Sequence, residues 1–222
     1  GLVYSDALTT VSPTYSREIR TPEFGLGMEG ILQKRSSVLH GILNGADDSV
    51  WNPATDSYLS SRYDVDHPEE KIVNKAALLR EAGLDPSLLE RPVLGMTARL
   101  SHQKGCDLLL GVLDALEALK VGIVILGEGD PVYEGALREA AEKYAGTMTV
   151  TIGFDEALAH RIIAGADIFL VPSLYEPCGL TQMYALKYGT VPVVRATGGL
   201  QDTVEEFDPG SRTGNGFKFG PY

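Results

Sequence analysis

Two cysteines in 222 residues, Cys106 and Cys178, are too few for a disulfide framework or for a cysteine-based zinc centre. Both stand beside glycine at positions that read as loop or helix start, and their scarcity points to a reducing compartment. No run of about 18 apolar residues occurs, so no stretch qualifies as a membrane-spanning helix. A basic start followed by an apolar segment is also missing, although the chain opens on Gly1 and not on Met. Cations are outnumbered: 19 Lys and Arg face 30 Asp and Glu, a formal net charge of −11. A generic attraction to nucleic acid or to anionic lipid is thereby excluded, and any phosphate must be held by a local arrangement. No group of Asp, Glu and His has metal-ligand spacing, so neither a metal nor another cofactor is expected.

What remains is a repeating alternation from Val93 onward: a short apolar run, a glycine-containing loop, then a longer amphipathic stretch, the pattern of βα units in a parallel sheet. "VLGMTA", "VGIVIL", "MTVTIG", "DIFLV" and "VPVV" read as strands. Between them "CDLLLGVLDALEAL", "PVYEGALREAAEKYA", "DEALAHRIIAGA" and "GLTQMYALKY" read as helices, with Pro131 in a first turn, Asp155 as a cap and Gly189 as a stop. This predicts a doubly wound α/β domain of five or more strands. Before it, "NKAALLREAGL" reads as a helix capped by Asn74 and ended by Gly83. The first part of the chain differs. "DALTTVS" and "SVLHGILN" read as strands separated by a glycine-rich loop, and "NGADDSVWNPATD" as a polar connection, which places a boundary near residue 44.

In a doubly wound sheet ligands bind beyond the carboxyl ends of the strands, so chemistry is sought in the loops there. "RLSHQKG" offers Arg99 and Lys104 just before a helix, a pair able to hold a diphosphate and stabilise its departure. From this loop alone, solvated surface charges are an equal reading. Ser101 and His102 are weaker candidates, since a lone loop histidine is more often structural. "GEGD" lacks the third glycine of a dinucleotide fingerprint, which argues against a dehydrogenase, yet Gly127 and Gly129 permit a base or ribose to approach the backbone. Phe154 stands at a strand end, where it either stacks on a nucleobase or packs as core. In "PSLYEPCGLTQMYALKYGTVPVV", Gly179, Leu180 and Thr181 open a helix whose free N–H groups suit an anion. Glu176, the only carboxylate there, is on local grounds as easily a brace for that helix start as a ligand.

Taken together, "RLSHQKG", "DEALAHRIIAGADIFLVPS", "YEPCGLTQMYALKYGTVPVVRATGGLQDTV", "TTVSPTYSREIRTPEFGLGMEGIL" and "HGILNGADDSVWNP" resemble bacterial glycogen synthase and plant starch synthase, glycosyltransferase family 5. The similarity runs over nearly the whole chain, and "EPCGLTQ" and "TGGLQDTV" are its most specific parts. The resemblance implies the GT-B fold, two Rossmann-like domains around a cleft. It also implies transfer of glucose from ADP-glucose to the non-reducing end of an α-1,4-glucan with retention of configuration and no metal. Residues 1–44 then correspond to the end of the N-terminal domain and linker, and 45–222 to the donor-binding C-terminal domain, truncated before a crossing helix.

Position by position, the resemblance puts Arg99 and Lys104 at the donor diphosphate and Glu176 at the donor glucose. Phe154 falls where relatives carry an aromatic against the base, Leu180 and Thr181 at the helix start that meets phosphates and ribose, Asn44 near the interdomain cleft, and Cys178 beside the site without a chemical role. Retaining transferases of the wider class carry a second glutamate after seven intervening residues, and here that place is Tyr184. A fragment of this kind is expected to bind ADP or ADP-glucose and to transfer poorly alone, with the glucan acceptor held largely by the other domain. A nucleotide-sugar-binding module without transferase activity, or a GT-B enzyme using a UDP-sugar, are the alternatives. The compartment follows from the source: cytoplasm in a bacterium, plastid in a plant.

Overall fold

The chain opens with a small parallel pair, β1 (Leu8–Thr10) beside β2 (Leu39–Gly41), joined through α1 (Pro13–Glu18) and α2 (Glu29–Lys34) in the computed structural model, which describes residues 1–222. Sequence reading anticipates longer strands and a glycine-rich loop here, and both helices are a correction. Ser12 caps α1 by accepting from the Tyr15 N–H at 2.9 Å with Pro13 in the first turn, and each strand is only three residues long.

After an irregular stretch comes α3 (Lys71–Glu81), which begins three residues before Asn74. Asn74 is therefore not its cap. It is buried, its side-chain oxygen accepts from the Ser60 and Ser61 N–H groups, and its amide donates to the Ser61 carbonyl, clamping the preceding loop. The helix ends at Gly83, whose φ of 66° is the left-handed conformation of a helix stop.

The alternating units follow: β3 (Val93–Thr97), α4 (Cys106–Ala118), β4 (Gly122–Gly127), α5 (Pro131–Lys143), β5 (Met148–Ile152), α6 (Glu156–Gly165), β6 (Ile168–Val171), α7 (Thr181–Lys187), β7 (Val191–Arg195), α8 (Gly198–Thr203) and β8 (Phe217–Phe219). Asp155 caps α6 as expected, accepting from Leu158 N–H, and Asp130, which the sequence reading leaves in a loop, caps α5 by accepting from Val132 N–H. All six strands pair in parallel in the order β5-β4-β3-β6-β7-β8. Because side chains alternate along a strand, β4 sends Val124 and Leu126 to one core and Ile123 and Ile125 to the other. The first core lies under α3 and α6, the second under α4 and α5. Burial on both faces explains why β4 reads as a continuous apolar run.

The opening segment is tied to the large sheet through α8. Asp202 accepts from Ser12 Oγ and Thr14 Oγ1, each at 2.5 Å, and from Thr14 N–H at 2.9 Å. Burial pushes the Asp202 carboxyl up, but these donors and the nearby Arg17 charge outweigh it, leaving it below the ordinary carboxylate range. Replacing Asp202 with Ala strands the Ser12 hydroxyl, which is fully buried, and is expected to cost about 2 kcal/mol at neutral pH in a urea titration. A carboxyl that is more acidic folded than unfolded stabilises fully above its unfolded value near 4 and loses that contribution as pH falls through the folded value. The gap between Asp202→Ala and wild type should therefore close below about pH 4, and a gap independent of pH would contradict this account.

Candidate active site

Strand order reverses between β3 and β6: the chain runs outward from β3 to β4 and β5 on one side, then crosses to β6, β7 and β8 on the other. A crevice forms beyond the carboxyl ends of strands at such a reversal. The loop after β3 carries Arg99 and Lys104, and the loop after β6 carries Glu176. Gly105 has a φ of 75°, and a Cβ there would lie 2.2 Å from the Pro172 carbonyl oxygen, so glycine lets the two loops touch. Lys104 Nζ meets Glu176 Oε2 at 2.5 Å, and Ser173 Oγ donates to the same oxygen at 3.0 Å. Glu176 is only 7% exposed, and these two partners offset its burial. Arg99 is exposed, and its guanidinium donates to the neutral Gln103 Oε1 at 3.1 Å, which leaves its charge available to an anion.

A cavity of about 400 Å³ opens over the ion pair and is bordered by Asn44, Arg99, Lys104, Glu176, Cys178 and Thr181, with Gly179 and Leu180 at its rim. A second cavity of about 420 Å³ is bordered by Trp51, Gly127, Phe154, Asp155, Ala159 and Tyr184. Thr97, Ala98, Arg99 and Thr181 border both, so the two are halves of one trough with Arg99 and Thr181 at the junction. One half is ionic and hydroxyl-lined, the other aromatic. Their volumes fall in the range of small-molecule sites, which run to about 300–1,000 Å³.

Most of the residues singled out in the sequence border this trough, with several refinements. Phe154 is 85% exposed at the aromatic half, free to offer a ring face. The helix that turns toward the ionic half starts at Thr181 and not at Gly179, because Gly179 takes the left-handed φ of 71° that lies outside a helix. Gly127 and Gly129 do not reserve backbone space for a ligand. A Cβ on Gly127 would lie 1.9 Å from the Ala98 carbonyl oxygen and one on Gly129 2.3 Å from that of Leu100, so the loop after β3 fills the approach. Gly127 still borders the aromatic half, whereas Gly129 borders neither. Burial pushes the Cys178 thiol up even though the Asn44 backbone N–H points at its sulfur, consistent with a packing role. Ser101 and His102 border neither half, and His102 faces Asp107 at 3.1 Å.

Ser173 and Trp51 escape the sequence reading, and Tyr184 enters it only as the place of a missing carboxylate. Ser173 is one hydroxyl among many, with no signal beyond lying three residues before Glu176. Trp51 and Tyr184 stack at 4.0 Å with their rings 5° apart. A single tryptophan in the polar stretch "NGADDSVWNPATD" was the available sign that this connection packs against something.

The six-stranded parallel sheet with flanking helices, with this trough at its reversal point, has the fold of the GT-B glycosyltransferases. The chain belongs to the glycosyl transferases group 1 family, whose model matches residues 85–221. Residues 1–34 match the starch synthase catalytic domain. Over 222 residues the chain is 54% identical to glycogen synthase of Anaeromyxobacter sp. (strain Fw109-5), covering 100% of this chain and 46% of that relative. It is 52% identical to glycogen synthase of Thermotoga maritima over the same length, with the same coverage. The chain spans about half the length of the curated relatives it matches. The catalytic domain of starch synthase IV from Arabidopsis thaliana, solved bound to ADP and acarbose, superposes with a TM-score of 0.90 at 39% identity, covering 99% of this chain and 46% of that one. Sucrose-phosphate synthase from Thermosynechococcus elongatus shares the fold with a TM-score of 0.63 at 20% identity, covering 99% and 46%. The resemblance to glycogen and starch synthases drawn from the sequence is borne out.

The ion pair has a measurable signature. Lys104→Met leaves Glu176 buried with Ser173 alone and should lower stability by about 1–3 kcal/mol in urea unfolding, since side-chain exposures of 23% and 10% place the pair short of full burial. Adding Glu176→Gln removes the stranded charge and should recover most of that loss. Equal stability of Lys104→Met and wild type would show that the pair does not hold this loop.

Proposed function

We propose that this chain is the donor-binding part of a retaining glucosyltransferase of the glycogen and starch synthase type, which moves glucose from ADP-glucose to the non-reducing end of an α-1,4-glucan. The observation that supports it best is the continuity of the trough: aromatic half, cationic junction, ionic half. Laid along it, the nucleoside takes the half with Phe154, the diphosphate takes the junction, and the sugar takes the half with Glu176. Arg99 sits at the junction, with Lys104 on the sugar side and the opening turn of α7 at Thr181 adding unpaired N–H groups.

Breaking the bond between the anomeric carbon and the phosphate oxygen leaves negative charge on the departing diphosphate. Arg99 and Lys104 are placed to stabilise that charge as it grows. Glu176 accepts hydrogen bonds from the sugar hydroxyls and orients the ring. Lys104 pairs with Glu176. With donor present, the lysine lies between the carboxylate and the diphosphate and links sugar position to phosphate position. Retention follows if the acceptor hydroxyl attacks from the face that the diphosphate leaves, its proton passing to the departing phosphate oxygen, and the acceptor glucan is held largely by a second domain. The reaction as written uses no metal or other cofactor. No helix is long and apolar enough to cross a membrane, and the working compartment is the cytoplasm in a bacterium or the plastid in a plant.

A UDP-sugar donor is the competing reading, because a ring such as Phe154 stacks on any base. Calorimetry with ADP, UDP and ADP-glucose separates the two: ADP is expected to bind at least about tenfold more tightly than UDP, a difference of about 1.4 kcal/mol. UDP binding without ADP binding would overturn the donor assignment. In the full-length protein, Glu176→Ala and Lys104→Ala should each lower turnover with ADP-glucose and glycogen by about a hundredfold or more, as for loss of a principal electrostatic stabiliser. Near-normal turnover in both would remove these residues from the mechanism.

A further inference from the structure

The polar stretch between the opening segment and α3 is irregular in backbone, yet it is fastened to the sheet domain by a buried cluster. Asp56 Oδ2 accepts from the Tyr188 hydroxyl at 2.7 Å and from His160 Nδ1 at 2.7 Å. Asp56 and His160 side chains are each 1% exposed. Tyr63, on the same stretch, donates its hydroxyl to the Tyr188 carbonyl at 2.8 Å. Trp51 lies flat against His160 at 3.7 Å with a 10° interplanar angle, and its other face lies on Tyr184 at 4.0 Å and 5°. Three rings from three parts of the chain thus form one stack: His160 from α6, Trp51 from the connection, Tyr184 from α7.

This stack ends in the trough. Trp51 and Tyr184 both border its aromatic half, together with Phe154 and Thr181, and neither borders the ionic half. With both faces covered, Trp51 presents an edge to the cavity and no stacking face. It also keeps Tyr184 from turning over His160. Phe154, on the loop after β5, is 85% exposed at this half and offers a ring face to it. His160 Nε2 is buried without a partner, so in this cluster the imidazole acts through its ring face and through the one hydrogen bond to Asp56.

We propose that Trp51 is a positioning residue for the nucleoside half of the donor, forming with Tyr184 the fixed wall opposite Phe154, and that Asp56 holds this wall in place through His160. The connection is then part of the nucleotide site and not only a tether between units. This rests on the donor reading given above and adds to it which elements grip the nucleoside. A planar ring between His160 and Tyr184 is what the wall requires, so phenylalanine serves at position 51 and alanine does not. The diphosphate is held at the junction by Arg99, so an altered wall leaves diphosphate binding untouched.

The test uses the chain itself with two probes, ADP and inorganic pyrophosphate, by calorimetry and fluorescence. Trp51 is the only tryptophan, so emission reports on it alone. ADP is expected to change that emission in the wild type, and pyrophosphate to change it far less. Trp51→Ala should weaken ADP about tenfold and pyrophosphate less than twofold, while Trp51→Phe should stay within about threefold of wild type for both. Asp56→Ala should shift Trp51 emission to the red before any ligand is added and weaken ADP selectively. If it does not fold, the two Trp51 variants carry the test. Equal loss of ADP and pyrophosphate in Trp51→Ala, no loss of either, or a wild-type emission that ADP leaves unchanged would each overturn the proposal. A wild-type chain that binds neither probe would instead overturn the donor reading, and this proposal with it.

Discussion

The pairing of β3 with β6 is the constraint on which the candidate site depends. Leu94 and Gly95 on β3 lie opposite Ile168 and Phe169 on β6, although more than seventy residues separate them in the chain. That pairing sets two strand ends side by side, one followed by a loop with two cations and the other by a loop with one carboxylate. Were β6 to pair with β5 instead, as simple addition of the next unit would give, Glu176 would stand across the full width of β4 and β5 from Lys104. The contact at 2.5 Å is thus a consequence of topology, and Gly105 supplies the last few ångströms by leaving room for the Pro172 carbonyl.

Electrostatically the site works against the molecule that carries it. A net charge of −11 repels anions at long range, and salt screens that repulsion beyond about 8–10 Å. Within that distance local groups decide, and Arg99 stands exposed at the junction with a neutral glutamine for its partner. Lys104 is paired with Glu176, which holds both side chains in place. An acidic protein with one unneutralised arginine at the centre of a trough selects anions by shape and position and not by bulk attraction.

The sequence makes the sheet legible because buried parallel strands are apolar without interruption. Runs such as "VGIVIL" admit no other reading at that length between glycine-bearing loops. The cap at Asp155 was equally readable, since it uses only residues within one turn. Arg99, Lys104 and Glu176 were singled out because strand ends are where a doubly wound sheet binds. That Lys104 and Glu176 pair with each other was not readable, because their contact depends on strand order, which no local pattern encodes. The same holds for Asn74, whose chemistry suits a cap and whose actual partners, Ser60 and Ser61, lie in a loop without periodicity. Gly127 and Gly129 misled for a related reason: a glycine signals close approach, but not what approaches.

The loop that bears Glu176 is held from behind as well as from the front. Gly199 N–H donates to the Glu176 carbonyl at 3.1 Å, and a Cβ on Gly198, whose φ is 46°, would lie 1.9 Å from that same oxygen. Gly198 N–H in turn donates to Glu18 at 2.9 and 3.1 Å, and Thr197 Oγ1 donates to it at 3.1 Å. A continuous line of hydrogen bonds therefore runs from α1 through the start of α8 to the main chain of the carboxylate residue. On the opposite side, Asn44 borders the ionic half and points its N–H at Cys178, two residues from Glu176. Both routes begin in the opening segment and end on the same loop, so the position of that segment and the geometry of the buried carboxylate cannot vary independently.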